Sequence, residues 1–218
     1  MRKFGYGKRT TGQSMIEAIV ALGILMTAVS AALTLVTSAV RANKESESSI
    51  VAANLAREAI EVARGLRDTN WLSDRAWDTG LYSTINSNDC TAIPVFDPTK
   101  QSTGFWQMDF SVDALTDAAA RVFRISAGGD ALRPPGLFLQ SPTTPANAVP
   151  TGFSRLLTLK SICRDRSKPS TDTSVNISCA CVAGAETKIG IQAVVDIIWG
   201  GRGGTRSLRI EETFYNWR

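Results

Sequence analysis

Gly12-Gln13-Ser14-Met15-Ile16-Glu17 stands at the head of an uncharged run from Ala18 to Val40, and the fold turns on that stretch. The run is 23 residues long; at about 1.5 Å per residue a helix of that length crosses a hydrocarbon core of roughly 30 Å. Glu17, at its front edge, is the anomaly. A charge inside a membrane helix costs roughly 2.5–3.5 kcal/mol on insertion scales, so this carboxylate calls for a partner. The run is not uniformly greasy either: Thr27, Ser30, Thr34, Thr37 and Ser38 are mixed with six alanines. Small, weakly polar residues let helices approach closely and hydrogen-bond across their interface. The composition therefore predicts a membrane helix that packs on other helices.

Charge fixes the expected orientation. Arg2, Lys3, Lys8 and Arg9 precede the run with no acid among them, whereas Arg41 and Lys44 beyond it are joined by Glu45 and Glu47. The basic excess puts the N-terminus in the cytoplasm and exports the remainder, as a single-pass membrane protein. The chain has 218 residues, room for one domain plus an anchor. Its net charge of +4 belongs to the first twelve residues; without them 20 basic residues face 20 acidic ones. That balance gives little reason to expect a nucleic-acid partner. Histidine is absent, which removes the commonest general base and metal ligand. A secretory signal cut near Ser30-Ala31-Ala32 is the rival reading. It fails to explain why the apolar stretch continues, or why Glu17 sits where a signal's apolar core should begin.

A short basic leader ending in glycine, followed by a chain whose fifth residue is glutamate at the head of an apolar helix, resembles the N-terminus of type IV pilins and of the pseudopilins of type II secretion. The resemblance covers about 30 residues. It implies a leader over residues 1–12, cleavage between Gly12 and Gln13 by a prepilin peptidase, N-methylation of Gln13, and an assembly helix over residues 13–42. By the same resemblance the partners are other pilin subunits and an inner-membrane assembly platform. The family's first mature residue is often phenylalanine, and many members carry a proline within the membrane run; here the residue is Gln13 and the first proline is Pro94. The chemistry is coherent. Cleavage frees the α-amino group of Gln13, and an ion pair between that amine and Glu17 of a neighbouring subunit would compensate two costly charges and fix subunit register.

Past Val40 the helical pattern continues but becomes amphipathic, with Val51, Leu55, Ala59, Val62 and Leu66 at three- or four-residue intervals. Arg57–Glu61 and Glu61–Arg64 have helical spacing and opposite sign. One helix is expected from about Ser14 to about Arg67, roughly 80 Å long, with Asp68-Thr69-Asn70 as its stop. Residues 69–105 read as irregular, with Trp71, Trp77, Tyr82 and Trp106 as packing bulk. The β-rich region is expected over 105–218, within an exported head spanning 43–218. Arg121–Ser126 and Gly136–Gln140 form a loose hairpin. Ser141–Gly152 is a surface loop, Phe153–Cys163 a strand, and Arg164–Ser178 another loop. Ile189, Ile191, Ala193, Val195, Ile197 and Trp199 share one strand face, Gly200–Gly204 turns, and Leu208, Ile210 and Phe214 return, interrupted by Glu212. Trp217 so near the end points to a docked C-terminus. The expected class is α+β, a long N-terminal helix packed on a C-terminal antiparallel sheet.

The four cysteines, Cys90, Cys163, Cys179 and Cys181, all follow the apolar run. In an exported head an even count favours disulfides. Cys179 and Cys181 are poorly placed to pair with each other, so each would bond to one of Cys90 and Cys163; free thiols and a four-thiolate zinc site are the rivals. No catalytic constellation, cofactor motif or metal motif emerges, and no enzyme activity is expected. Gly200–Gly204 lacks the Gly-Lys-Ser/Thr ending of a phosphate loop. Asp165, Asp172 and Asp196 lack calcium-loop spacing. Arg155, Lys160, Arg164, Arg166 and Lys168 cluster in sequence, with Arg202 and Arg206 nearby, as a solvated edge or, less simply, an anion- or DNA-binding surface.

Overall fold

A computed structural model describes residues 11–218 except 87–88, 100–104, 127, 129–132, 170–172, 202 and 217–218; for residues 11–14 it gives the backbone alone. The expected positions of Met1–Thr10, Asp172, Arg202 and Trp217–Arg218 therefore lie outside the described residues. The fold is α+β. Helix α1 runs Thr11–Leu72 and is followed by strands β1 (Thr91–Phe96), β2 (Trp106–Asp109), β3 (Arg121–Ile125), β4 (Phe138–Leu139), β5 (Ala148–Asp165), β6 (Asn176–Ser178), β7 (Glu186–Gly201) and β8 (Gly204–Tyr215). Two compact units divide the chain, Met1–Ser48 and Ser49–Arg218.

In the second unit the C-terminal part of α1 lies on the sheet. Ala52, Ala56, Ala59 and Ala63 are wholly buried, with Leu55 and Ile60 beside them. Their spacing places them on one helix face, and their small size brings the helix close to the sheet. Opposite stand Leu157 and Leu159 of β5, Ile191, Ala193, Val195 and Ile197 of β7, and Phe214 of β8. The helix runs to Leu72, five residues past its expected end at Arg67 and through the expected stop Asp68-Thr69-Asn70. Asn70 belongs to its last turn and donates from Nδ2 to the carbonyls of Trp77 and Thr79, pinning the following loop.

Strand β5 is the spine of the sheet. Along one side it pairs antiparallel with β7, and β7 with β8. Along the other side it meets β3, β1 and β6 in turn. Strand β2 extends β1, and β4 extends β3. The hairpin expected near the C-terminus is present: Gly201 pairs with Gly204, and Gly203 takes φ +90°, a conformation that favours glycine. The hairpin of Arg121–Ser126 with Gly136–Gln140 is also present, as β3 and β4.

Three expectations are corrected. Strand structure begins at Thr91, not at 105, because Pro94 tolerates a strand position whose N–H the ladder does not need. Residues 148–152 belong to β5 and pair with β3, with Pro150 opposite Phe123. Residues 176–178, read as loop, form β6. The odd-numbered face of β7 also breaks. Gly190 pairs with Ile162 and Lys188 with Cys163, so Ile189 is a bulge residue outside the β5 register and is only half-buried.

Candidate functional site

The first unit is the N-terminal part of α1. Every described side chain from Met15 to Glu47 is exposed, although the helix is long and apolar enough to cross a membrane. A surface of Met15, Ile16, Ile19, Leu22, Leu25 and Met26 exposed at this level needs a non-aqueous neighbour. The hydroxyls are already spent within the helix. Thr27 donates to Ile24 O, Ser30 to Met26 O, Thr34 to Ser30 O, Thr37 to Thr34 O and Ser38 to Leu35 O. Back-bonding satisfies each O–H without a second helix, which lowers its burden in lipid.

Glu17 lies on an exposed helix surface with Ile16, Val20, Ala21 and Ile24. Val20, Ala21 and Ile24 follow it at intervals of three, four and seven, so the carboxylate heads an apolar stripe. Gly12 and Gln13 fall within α1, which is described from Thr11; the Gln13 side chain lies outside the described residues.

The head carries the two expected disulfides. Cys90 at the mouth of β1 bonds Cys179, and Cys163 of β5 bonds Cys181, which selects one of the two connectivities left open by the sequence. All four sulfurs are consumed, so neither a thiolate zinc site nor a free thiol remains. Glu186 lies beside the Cys163–Cys181 pair, but its carboxylate accepts from the Val182 N–H and Asn176 Nδ2. Two disulfides point to an oxidising compartment for this unit.

The basic cluster of the sequence does not form one surface. Arg155 is fully buried; Lys160 and Arg164 are half-buried. Arg166 donates to Thr187 Oγ1, and Lys168 to Ser174 Oγ. The acidic residues are likewise engaged. Asp196 accepts two hydrogen bonds from Arg209 at 2.7 and 2.9 Å, and Asp165 accepts from the N–H and hydroxyl of Ser167. Of the aromatics, Trp77 packs against the main core, Trp106 lies edge-on to Phe96, and Trp71 lies under the Arg67 guanidinium.

Two polar links between helix and sheet were not anticipated, one buried and one partly exposed. Arg155 Nε donates to Gln140 Oε1 at 2.7 Å, and its Nη1 donates to Leu55 O at 2.6 Å and to Glu58 at 3.2 Å. Gln140 in turn donates to the carbonyls of Ala120 and Arg155. The Nη2 of Arg155 has no partner among the described residues. Burial pulls this guanidinium below the usual arginine range, opposed by the Glu58 charge. The second link explains Glu212: its carboxylate accepts from Arg64, which also donates to Glu61. Hydrogen bonds to these carboxylates, Glu212 first, hold Arg64 above its ordinary value. Both links join α1 to the sheet, and the strand period could have flagged them. Arg155 alternates in phase with Leu157 and Leu159, and Glu212 with Ile210 and Phe214.

Comparison with known proteins adds no identification: no family model, no curated protein and no solved structure matches the chain.

Proposed function

We propose that the chain is a structural subunit of a type IV pilus-like filament, a minor rather than a major one. In this reading prepilin peptidase cleaves after Gly12, Gln13 becomes the methylated N-terminus, and the N-terminal helix anchors the subunit and then polymerises. The exported head is displayed and performs no catalysis. The observation that carries the reading is Glu17, a carboxylate at the head of an exposed apolar stripe, five residues after Gly12. An exposed apolar helix joined to a disulfide-bonded α+β head is compatible with that architecture. The same architecture would serve a type II secretion pseudopilin. An adhesive or DNA-binding tip subunit is less well supported, because Arg155 of the basic cluster points into the core.

The mature N-terminus decides the matter. Intact mass and N-terminal sequencing should find a chain starting at Gln13; one starting near Leu33 would overturn the proposal. Glu17→Ala should be processed normally yet fail to enter filaments, and normal incorporation would remove the ion-pair role. Gly12→Leu should block processing.

A further inference from the structure

A cleft of about 590 Å³ opens between the α1–β1 loop and β2, wholly within the unit Ser49–Arg218. Its volume falls in the range of small-molecule sites. The loop supplies Tyr82, Ser83 and Asp89; β2 and the residues just after it supply Gln107, Asp109 and Phe110. No lysine or arginine is among its described lining residues.

Three features set its chemistry. Tyr82 also lines a smaller cavity with Lys188, whose ammonium stands 5.0 Å from the ring centroid and is paired with Asp78. That cation–π contact steadies the ring, which stays 41% exposed and offers a flat, largely apolar platform. Asp89 accepts from Asn86 Nδ2, and Asp109 from the Ser111 N–H, each through Oδ1. The Oδ2 atom of each lies outside those bonds. Ser83 is only 7% exposed. Its Oγ accepts from the Asn86 N–H, and its own O–H donates to no atom among the described residues. The cleft therefore offers an occupant both carboxylate acceptors and a hydroxyl donor.

We propose that this cleft binds a neutral saccharide. Sugar hydroxyls both donate and accept, so they can serve the two carboxylates and also accept from Ser83. The C–H face of a sugar ring is flat and apolar enough to lie on Tyr82. A cation would satisfy the carboxylates but brings no acceptor for Ser83, and it would meet the Lys188 charge beside the same ring. An anion would meet two carboxylates and no positive charge on the lining. The proposal goes beyond the filament reading and does not rest on it, because processing at the N-terminus leaves this cleft unchanged.

Saturation-transfer NMR on the full-length chain, in a detergent without a sugar headgroup, tests the site. The probes are lactose, maltose, cellobiose and chitobiose, with spermidine and glucose 6-phosphate as cationic and anionic controls. At least one disaccharide should receive saturation, most strongly on the C–H protons of one ring face, and neither control should. Tyr82→Ala should abolish the transfer. Asp89→Asn and Asp109→Asn keep an oxygen for the existing bonds but remove the charge, and each should weaken binding about tenfold. Thermal melting reports whether each variant is folded; if Tyr82→Ala does not fold, the two isosteric Asn variants decide. Transfer to none of the four disaccharides, transfer to spermidine alone, undiminished transfer in a folded Tyr82→Ala, or wild-type affinity in both Asn variants overturns the proposal.

Discussion

Replacing Arg155 should be the most damaging single change in the head, and the sizes of two different replacements test why. The side chain is 0% exposed, and its guanidinium bonds Gln140, the Leu55 carbonyl and Glu58. Arg155→Ala removes the charge, strands Gln140 Oε1 and leaves a cavity between helix and sheet. Breaking a buried charged network in this way costs about 3–5 kcal/mol. At roughly 2–4 °C per kcal/mol for a chain of this size, the melting point should fall by roughly 6–20 °C. Arg155→Met keeps most of the stem volume and relieves the desolvated charge, leaving chiefly one orphaned acceptor, so its cost is about 1–3 kcal/mol. Adding Gln140→Leu to Arg155→Met removes the orphaned oxygen but exposes the Ala120 and Arg155 carbonyls, so only part of the loss should return. Thermal unfolding of the full chain in detergent, followed by tryptophan fluorescence, reads all three variants. An Arg155→Ala loss below about 1 kcal/mol, or equal losses for Ala and Met, would refute the account of a compensated buried charge.

Removing each disulfide by paired Cys→Ser changes should rank with loop length. The Cys163–Cys181 separation of 18 and the Cys90–Cys179 separation of 89 correspond to losses of roughly 3 and roughly 4.6 kcal/mol in the chain-entropy account; urea unfolding under non-reducing conditions checks the order. Gly190→Ala should destabilise by about 1–3 kcal/mol, because its Cβ would stand 2.7 Å from the Phe214 carbonyl oxygen. Gly65→Ala should do the opposite. That helical position has nothing within 4 Å of a new Cβ, so the gain in the same melting assay should be about 0.5–1 kcal/mol.

What could be read from the sequence followed from periodicity and from long runs. The uncharged stretch, the 3–4 spacing from Val51 to Leu66 and the period-two face from Ile191 to Trp199 each repeat one signal several times, so local noise averages out. Besides the three-residue β6, too short to show a period, the strand segments that escaped notice are those where a single residue argues the other way. Pro94 lies inside β1, and Pro150 and Gly152 lie inside β5; each is a turn-former held in a ladder by neighbouring strands. The bulge at Ile189 was hidden for a different reason. It is set by the register of β5 against β7, a non-local property that leaves no local mark. Glu17 was legible because a charge beside a membrane run stands out. Arg155 was not, because five basic residues near each other resemble a surface until strand phase is applied to each.

The two disulfides interlock along the chain, and this changes what a protease could do to the head. Cys90 pairs forward to Cys179, while Cys163, between them, pairs beyond to Cys181. A single peptide-bond cut anywhere from Cys90 to Cys181 therefore leaves at least one bridge across the break. Nicks in the segments 141–147 or 166–175, outside the described strands, would still leave the β7–β8 hairpin covalently attached to α1. Within residues 90–181 the head could be nicked once without shedding a fragment, and a single cut there would release one only after reduction.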